Sequence, residues 1–258
     1  MMMLAGVAMI AVACGESNVN VDRVNVDISE ALSPERTDSV KVTVNVEYPV
    51  SGLSDSVRTS MCEIIVGAAF GSDYAGLDVS SASAKWAADF VSEYRSTSME
   101  LLEEMKASGE MLPVNGGTFS WQNTLDGYFS GRYKDIISYT VSNYVFEGGA
   151  HGSTVETSVN MSVKTGKQIS EEDFFIPGYK EGLSAVLTAH LRESMPDQDS
   201  YEALFIKDIE PNGNFKVSER GLTYVYGQYE IGPYYLGIIK VTVPWDELGD
   251  LVREHPVI

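Results

Sequence analysis

TFSWQNTLDGYFSGRYKDIISYTVSNYVFEGG, residues 118–149, is dense in aromatic and β-branched residues and carries no long helical period. It reads as two long antiparallel strands separated around Ser130, Gly131 and Arg132. Downstream, Val155, Thr157, Val159, Met161 and Val163 alternate with Glu156, Ser158, Asn160, Ser162 and Lys164, the period of a strand with one apolar and one polar face. Upstream, Val40, Val42, Val44, Val46 and Tyr48 alternate with Lys41, Thr43, Asn45 and Glu47 until Pro49 and Gly52 end the run.

Between these strands lie two helical stretches. Leu53–Phe70 is opened by Ser51 or Ser54 as a cap, and Ser80–Ala107 is closed near Gly109. In the second, Trp86, Phe90 and Tyr94 sit four apart and Leu101, Leu102 and Met105 extend the apolar stripe, which is core patterning. Beyond residue 164, Ser170 opens the short acidic helix SEEDFF and a longer helix runs from Tyr179 to Ser194 before Pro196. Residues 214–243 return to strands, with turns at Gly221 and at Ile231, Gly232 and Pro233. Pro244 opens a last helix that puts Trp245, Leu248, Leu251 and Val252 on one face. Helices in blocks between groups of strands predict an α+β fold: two small domains, 38–152 and 153–258, with antiparallel sheets and helices packed on one face.

Residues 1–13, MMMLAGVAMIAVA, form an uncharged apolar leader that ends in small residues before Cys14. Ala11, Val12 and Ala13 before that cysteine have the pattern of a lipobox, so Cys14 is the expected lipidation site and residues 14–37 the expected tether, becoming an edge or bulged strand where the valines change phase. The expected location is the bacterial cell envelope, with the membrane reached through the lipid anchor only. Cys62 is then left alone on a helical apolar face, where core packing is the expected role. Against 18 basic residues stand 37 acidic ones, a net charge of -19. That field repels phosphate backbones, so no nucleic acid is expected as a partner, while a cationic partner would be drawn in.

Catalytic motifs are sparse. The sequence holds no GxGxxG, no GxxxxGK[ST], no GxSxG and no S-x-x-K. His151, His190 and His255 are far apart in sequence and no HExxH occurs, so neither a metal site nor a cofactor is expected. A carboxylate pair able to hydrolyse wall glycan stays open as an alternative, because such pairs meet only in space. Two stretches invite a ligand. One is Glu147, Gly148, Gly149, Ala150, His151 and Gly152, a specially shaped loop in which His151 either contacts a ligand or bonds to backbone to hold the turn. The other is Tyr229, Glu230, Ile231, Gly232, Pro233, Tyr234 and Tyr235, whose tyrosines suit either a binding surface or the edge of a sheet.

GGAHG at 148–152, TGKQISEEDFF at 165–175, GLTYVYGQYEIGPYYLG at 221–237 and VPWDEL at 243–248 together resemble the extracellular region of the anti-sigma factor RsiV. That region ends in a family of unknown function, preceded by a domain found also beside the catalytic domain of the peptidoglycan deacetylase PdaC. The resemblance runs over roughly residues 38–253. It implies paired α+β domains meeting near the GGAHG loop and recognition of an extracellular protein such as lysozyme, or of peptidoglycan fragments. The deacetylase domain, the sigma-binding segment and the transmembrane helix of those proteins have no counterpart here, so deacetylation and signalling do not carry over.

Overall fold

The computed structural model describes residues 19–109 and 117–253. Six strands form the larger sheet in chain order: β1 (Asn20–Ala31), β2 (Ser39–Ser51), β3 (Trp121–Tyr133), β4 (Ile136–Phe146), β5 (Ser153–Ser162) and β6 (Gln168–Ile169). All neighbours are antiparallel except β2 and β3. That pair is parallel because the chain returns to the sheet through two helices, α1 (Asp55–Phe70) and α2 (Val79–Ser108), and a crossover of that length brings the next strand back in the same direction. Ser54 caps α1 and Asp78 caps α2, while Gly109 ends α2 in the left-handed region.

The expected turn at Ser130–Arg132 is not a turn. Strand β3 runs on to Tyr133, the reversal is at Lys134 and Asp135 with Lys134 at φ 52°, and the register shifts at Phe129 and Gly131 instead. The glycine marks a bulge, a feature that small residues and a broken alternation signal as readily as a turn. Residues 20–31 of the expected tether are strand β1, paired with β2 over its whole length at the sheet edge, with an irregularity between Asn20 and Val21, where β2 carries the extra residue Val50.

One face of the large sheet packs on α1 and α2. Val40, Val42, Val44, Val46, Leu125, Tyr139 and Met161 meet Met61, Ile65, Ala87 and Tyr94 there. Cys62 is half-buried on α1, and burial pushes its thiol pKa up, which disfavours the reactive thiolate. The other face is polar and equally buried: Ser138, Thr140, Glu156, Ser158, Asn160 and Ser162 are covered by a second sheet made of β7 (Phe215–Ser218), β8 (Gly221–Tyr226) and β9 (Ile239–Pro244). Short helices α3 (Glu171–Phe174), α5 (Gln198–Glu202) and α6 (Trp245–Leu248), with the longer α4 (Tyr179–Leu191), complete the second core around Phe174, Leu183, Leu187, Phe215, Tyr224 and Val241.

The sheets meet edge to face. β7 is the outer strand of the small sheet, and its free edge is closed by side chains of the large one. The Val217 N–H donates to Ser138 Oγ at 2.8 Å, the Ser138 hydroxyl donates to Asn160 Oδ1 at 2.6 Å, and Asn160 Nδ2 donates to the Phe215 carbonyl at 2.9 Å. At Gly131 a β-carbon would lie 2.1 Å from the Val217 carbonyl oxygen, so only glycine admits this approach. Trp245 stacks on Tyr133 with centroids 3.8 Å apart and donates its indole N–H to the Ser218 carbonyl, clamping the same junction. The expected division at 152/153 falls between β4 and β5, neighbours in one sheet, and the second buried cluster takes in Ile136 of β4 together with residues from Ile169 onward.

Candidate binding site at the sheet junction

Beyond the two residues of β6, the outer edge of β5 is covered by side chains and not by a strand. Asn214 faces it with both ends of its amide: Ser158 N–H donates to Oδ1 at 2.8 Å and Nδ2 donates to the Glu156 carbonyl at 2.7 Å. Further along, the Thr154 N–H donates to Gln228 Oε1 at 2.8 Å. This second contact brings the loop after β8 against the loop before β5, and so unites the two stretches that the sequence singles out.

Within the united site, the Tyr234 ring stacks on His151 with centroids 4.0 Å apart, and its hydroxyl donates to the Gly152 carbonyl at 2.7 Å. Tyr229 leans on Tyr234 with centroids 5.7 Å apart. His151 Nδ1 lies 3.0 Å from the same Gly152 carbonyl, so its ring is tied to backbone and aromatic partner. Gly148 and Gly149 adopt φ 89° and 97°, the positive region where glycine is at ease. Gly152 serves a different end, because a β-carbon there would sit 2.5 Å from the Tyr144 ring. Glu230 holds its own loop: its carboxylate accepts from Gly227 N–H at 2.6 Å and from Asn212 Nδ2 at 2.7 Å. Tyr229 stands at φ 64°, a conformation costly for a large side chain and concentrated in proteins at functional loops.

The outward face of this assembly is apolar. Tyr235 is 72% exposed, Phe205 64%, Tyr229 59% and Ile206 46%. Phe205 and Ile206 escape the sequence reading; they join the site because both backbone N–H groups donate to the Ile231 carbonyl. An apolar pair in a loop just after a short helix was the available signal. Of the residues expected to bind, His151, Tyr229, Tyr234 and Tyr235 come together, and Glu230 and Gly148–Gly149 shape the loops; the expected lipidation site Cys14 lies outside the described residues, as does His255. His190 sits elsewhere, its Nε2 2.9 Å from Glu247.

Carboxylates buried among the described residues are each engaged. Asp38 is held by Arg36 at 2.7 Å, Glu47 by Arg23 at 2.6 Å and by the Phe129 N–H at 3.1 Å, and Glu156 by Lys240 at 2.8 Å through Oε2, its Oε1 facing the Lys216 ammonium at 3.5 Å without a hydrogen bond. Glu171 accepts from the Tyr224 hydroxyl at 2.6 Å, the Tyr179 hydroxyl at 2.7 Å and the Gly213 N–H at 2.9 Å. Among the described residues no group of three or more His, Cys, Asp and Glu is placed to hold a metal ion, and no helix is long and apolar enough to cross a membrane.

Glu171 immediately precedes a stretch that resembles a known family. Residues 172–246 match a protein family of unknown function, DUF3298. This segment spans α3 to α6, the second core and the Tyr229–Tyr235 loop. Two solved DUF3298 proteins share the architecture over nearly their whole length. One, from Bacteroides fragilis, is 22% identical with a TM-score of 0.82, covering 93% of this chain and 96% of that one. The other, from Pseudomonas aeruginosa, is 17% identical with a TM-score of 0.63, covering 93% and 98%. These likenesses establish the fold, large sheet and DUF3298 segment together. No curated protein matches the chain in sequence.

Proposed function

We propose that this chain is a non-catalytic envelope protein, lipid-anchored through Cys14, that binds a cationic extracellular protein of the lysozyme type through the joined 148–152 and 229–235 loops. The observation that carries this reading is the convergence of those loops into one surface where Phe205, Ile206, Tyr229 and Tyr235 stay exposed. Exposed tyrosines grouped on rigid supports are what protein contacts use as anchors. The net charge of -19 supplies long-range attraction for a cationic partner, which salt weakens. The likeness of GGAHG and the 221–237 string to the RsiV extracellular region points to the same class of partner. Peptidoglycan fragments are the second ligand class, and the buried carboxylates described above, each paired with a cation or accepting from hydroxyl and backbone donors, favour binding over wall-glycan hydrolysis.

Retention on immobilised cationic lysozyme and on purified peptidoglycan, at low and at moderate salt, tests the binding. Strong retention on lysozyme that weakens with salt supports the proposal; retention on neither removes it. Incorporation of a labelled fatty acid tests the anchor, and its persistence in a Cys14→Ser variant would refute that part.

A further inference from the structure

A cleft of about 280 Å³ opens between α2 and the ends of β3 and β4, lined by Tyr74, Trp86, Phe90, Asp89, Glu93, Asn123, Asn143 and Glu147. Glu147 ties it to the binding surface above, because it immediately precedes Gly148. Two side chains in it are incompletely served. Asn123 is 3% exposed and its Oδ1 has no hydrogen-bond partner, and the buried Oδ1 of Asn143 likewise has none. On the paired strands, Asn123 lies opposite Val145 and Asn143 opposite Leu125, so the two amides are diagonal neighbours on one face. Buried acceptors left open this way call for a donor.

We propose that this cleft is a socket for a guanidinium group, the arginine side chain of a cationic partner. The source of that arginine rests on the reading above; the chemistry of the socket does not. Three carboxylates surround the two carbonyl oxygens, so the occupant carries positive charge and N–H donors. Asp89 already takes the Lys85 ammonium at 2.6 Å and the Tyr74 hydroxyl at 2.8 Å, whereas Glu93 and Glu147 stand exposed at the rim. A metal ion is unsuited, since the acids are not grouped to coordinate one. Guanidinium presents five N–H donors in a planar fork and a flat face that packs on aromatic rings. Trp86 and Phe90, stacked at 6.3 Å and 16°, offer such a wall. An ammonium is a compact point charge and reaches two separated carbonyls less well.

The test titrates the full chain with N-acetyl-arginine amide and follows the side-chain amide resonances of Asn123 and Asn143 and the Trp86 indole by NMR. Saturable shifts at these groups are expected, with the lysine analogue at least about threefold weaker and the uncharged citrulline analogue weaker still. Asn123→Leu should weaken arginine binding by about tenfold or more. The surface variant Glu93→Gln/Glu147→Gln, which leaves the core untouched, should weaken it by about threefold at low salt. Absence of shifts, equal shifts with citrulline, or unchanged binding in both variants would overturn the socket. Lysozyme held equally by wild type and Asn123→Leu overturns the claim that the partner's arginine fills the socket and leaves the proposed function standing. Arginine binding without lysozyme retention keeps the socket and removes the proposed partner.

Discussion

Gly131 and Glu171 show how single positions hold the two sheets and the second core together. With the Val217 carbonyl oxygen 2.1 Å from where a β-carbon would lie, Gly131→Ala must push β7 away from β3. We expect a loss of about 1–3 kcal/mol in urea unfolding, the range of overpacked sites. The sequence marks Gly131 as special but reads it as a turn, because a bulge and a turn both break alternation with a small residue. Glu171 is legible only as part of an acidic helix start, since its partners Tyr179, Tyr224 and Gly213 come together only in three dimensions. Burial, and then the bond to Glu171, raises the pKa of Tyr224 and of Tyr179 above the ordinary tyrosine value. Above about pH 10 the unfolded chain releases these protons while the folded state keeps them. The stability they contribute is therefore full below about pH 10 and falls as pH rises towards the folded-state values. Urea midpoints measured across the alkaline range should decline more gently in Tyr224→Phe, which starts lower by about 1–3 kcal/mol because Glu171 loses a donor.

At the scale of elements, the strands and helices follow from period and caps. Ser54 and Ser170 cap where the sequence places them, and β2 and β5 keep their alternation. What alternation cannot tell is what covers the polar face. Glu156, Ser158, Asn160 and Ser162 alternate as a polar face, yet all are buried, because the small sheet covers that face and Asn160, with Ser138 of β4, replaces the missing neighbour strand of β7. Polar residues on that face are required by the strand edge they meet, and the edge is defined by residues some 55 positions away in Asn160 and Phe215. The parallel β2–β3 pair is illegible for a related reason: strand direction is set by the helical crossover and leaves no mark in either strand. Removing Asn214, whose amide pairs with β5 backbone, should free the Glu156 carbonyl and the Ser158 N–H. Hydrogen exchange should then quicken at Ser158 and through β7 in Asn214→Ala, with α1 and α2 unchanged.

For the molecule as a whole, the loops flagged by composition prove to share one surface, and their meeting depends on Gln228 reaching β5, a contact invisible in sequence order. The excess of acidic residues spreads a negative field around that surface. Association with a cationic protein should then slow steeply as salt rises, while dissociation changes less. The most direct measurement compares the affinity of wild type and of Tyr229→Asn/Tyr235→Ser for cationic lysozyme by calorimetry at fixed salt, asparagine being chosen because it tolerates the positive φ of position 229. If these rings are the anchors, affinity drops by about tenfold or more and the melting temperature of the free protein stays the same. Unaltered affinity in the double variant would contradict the account.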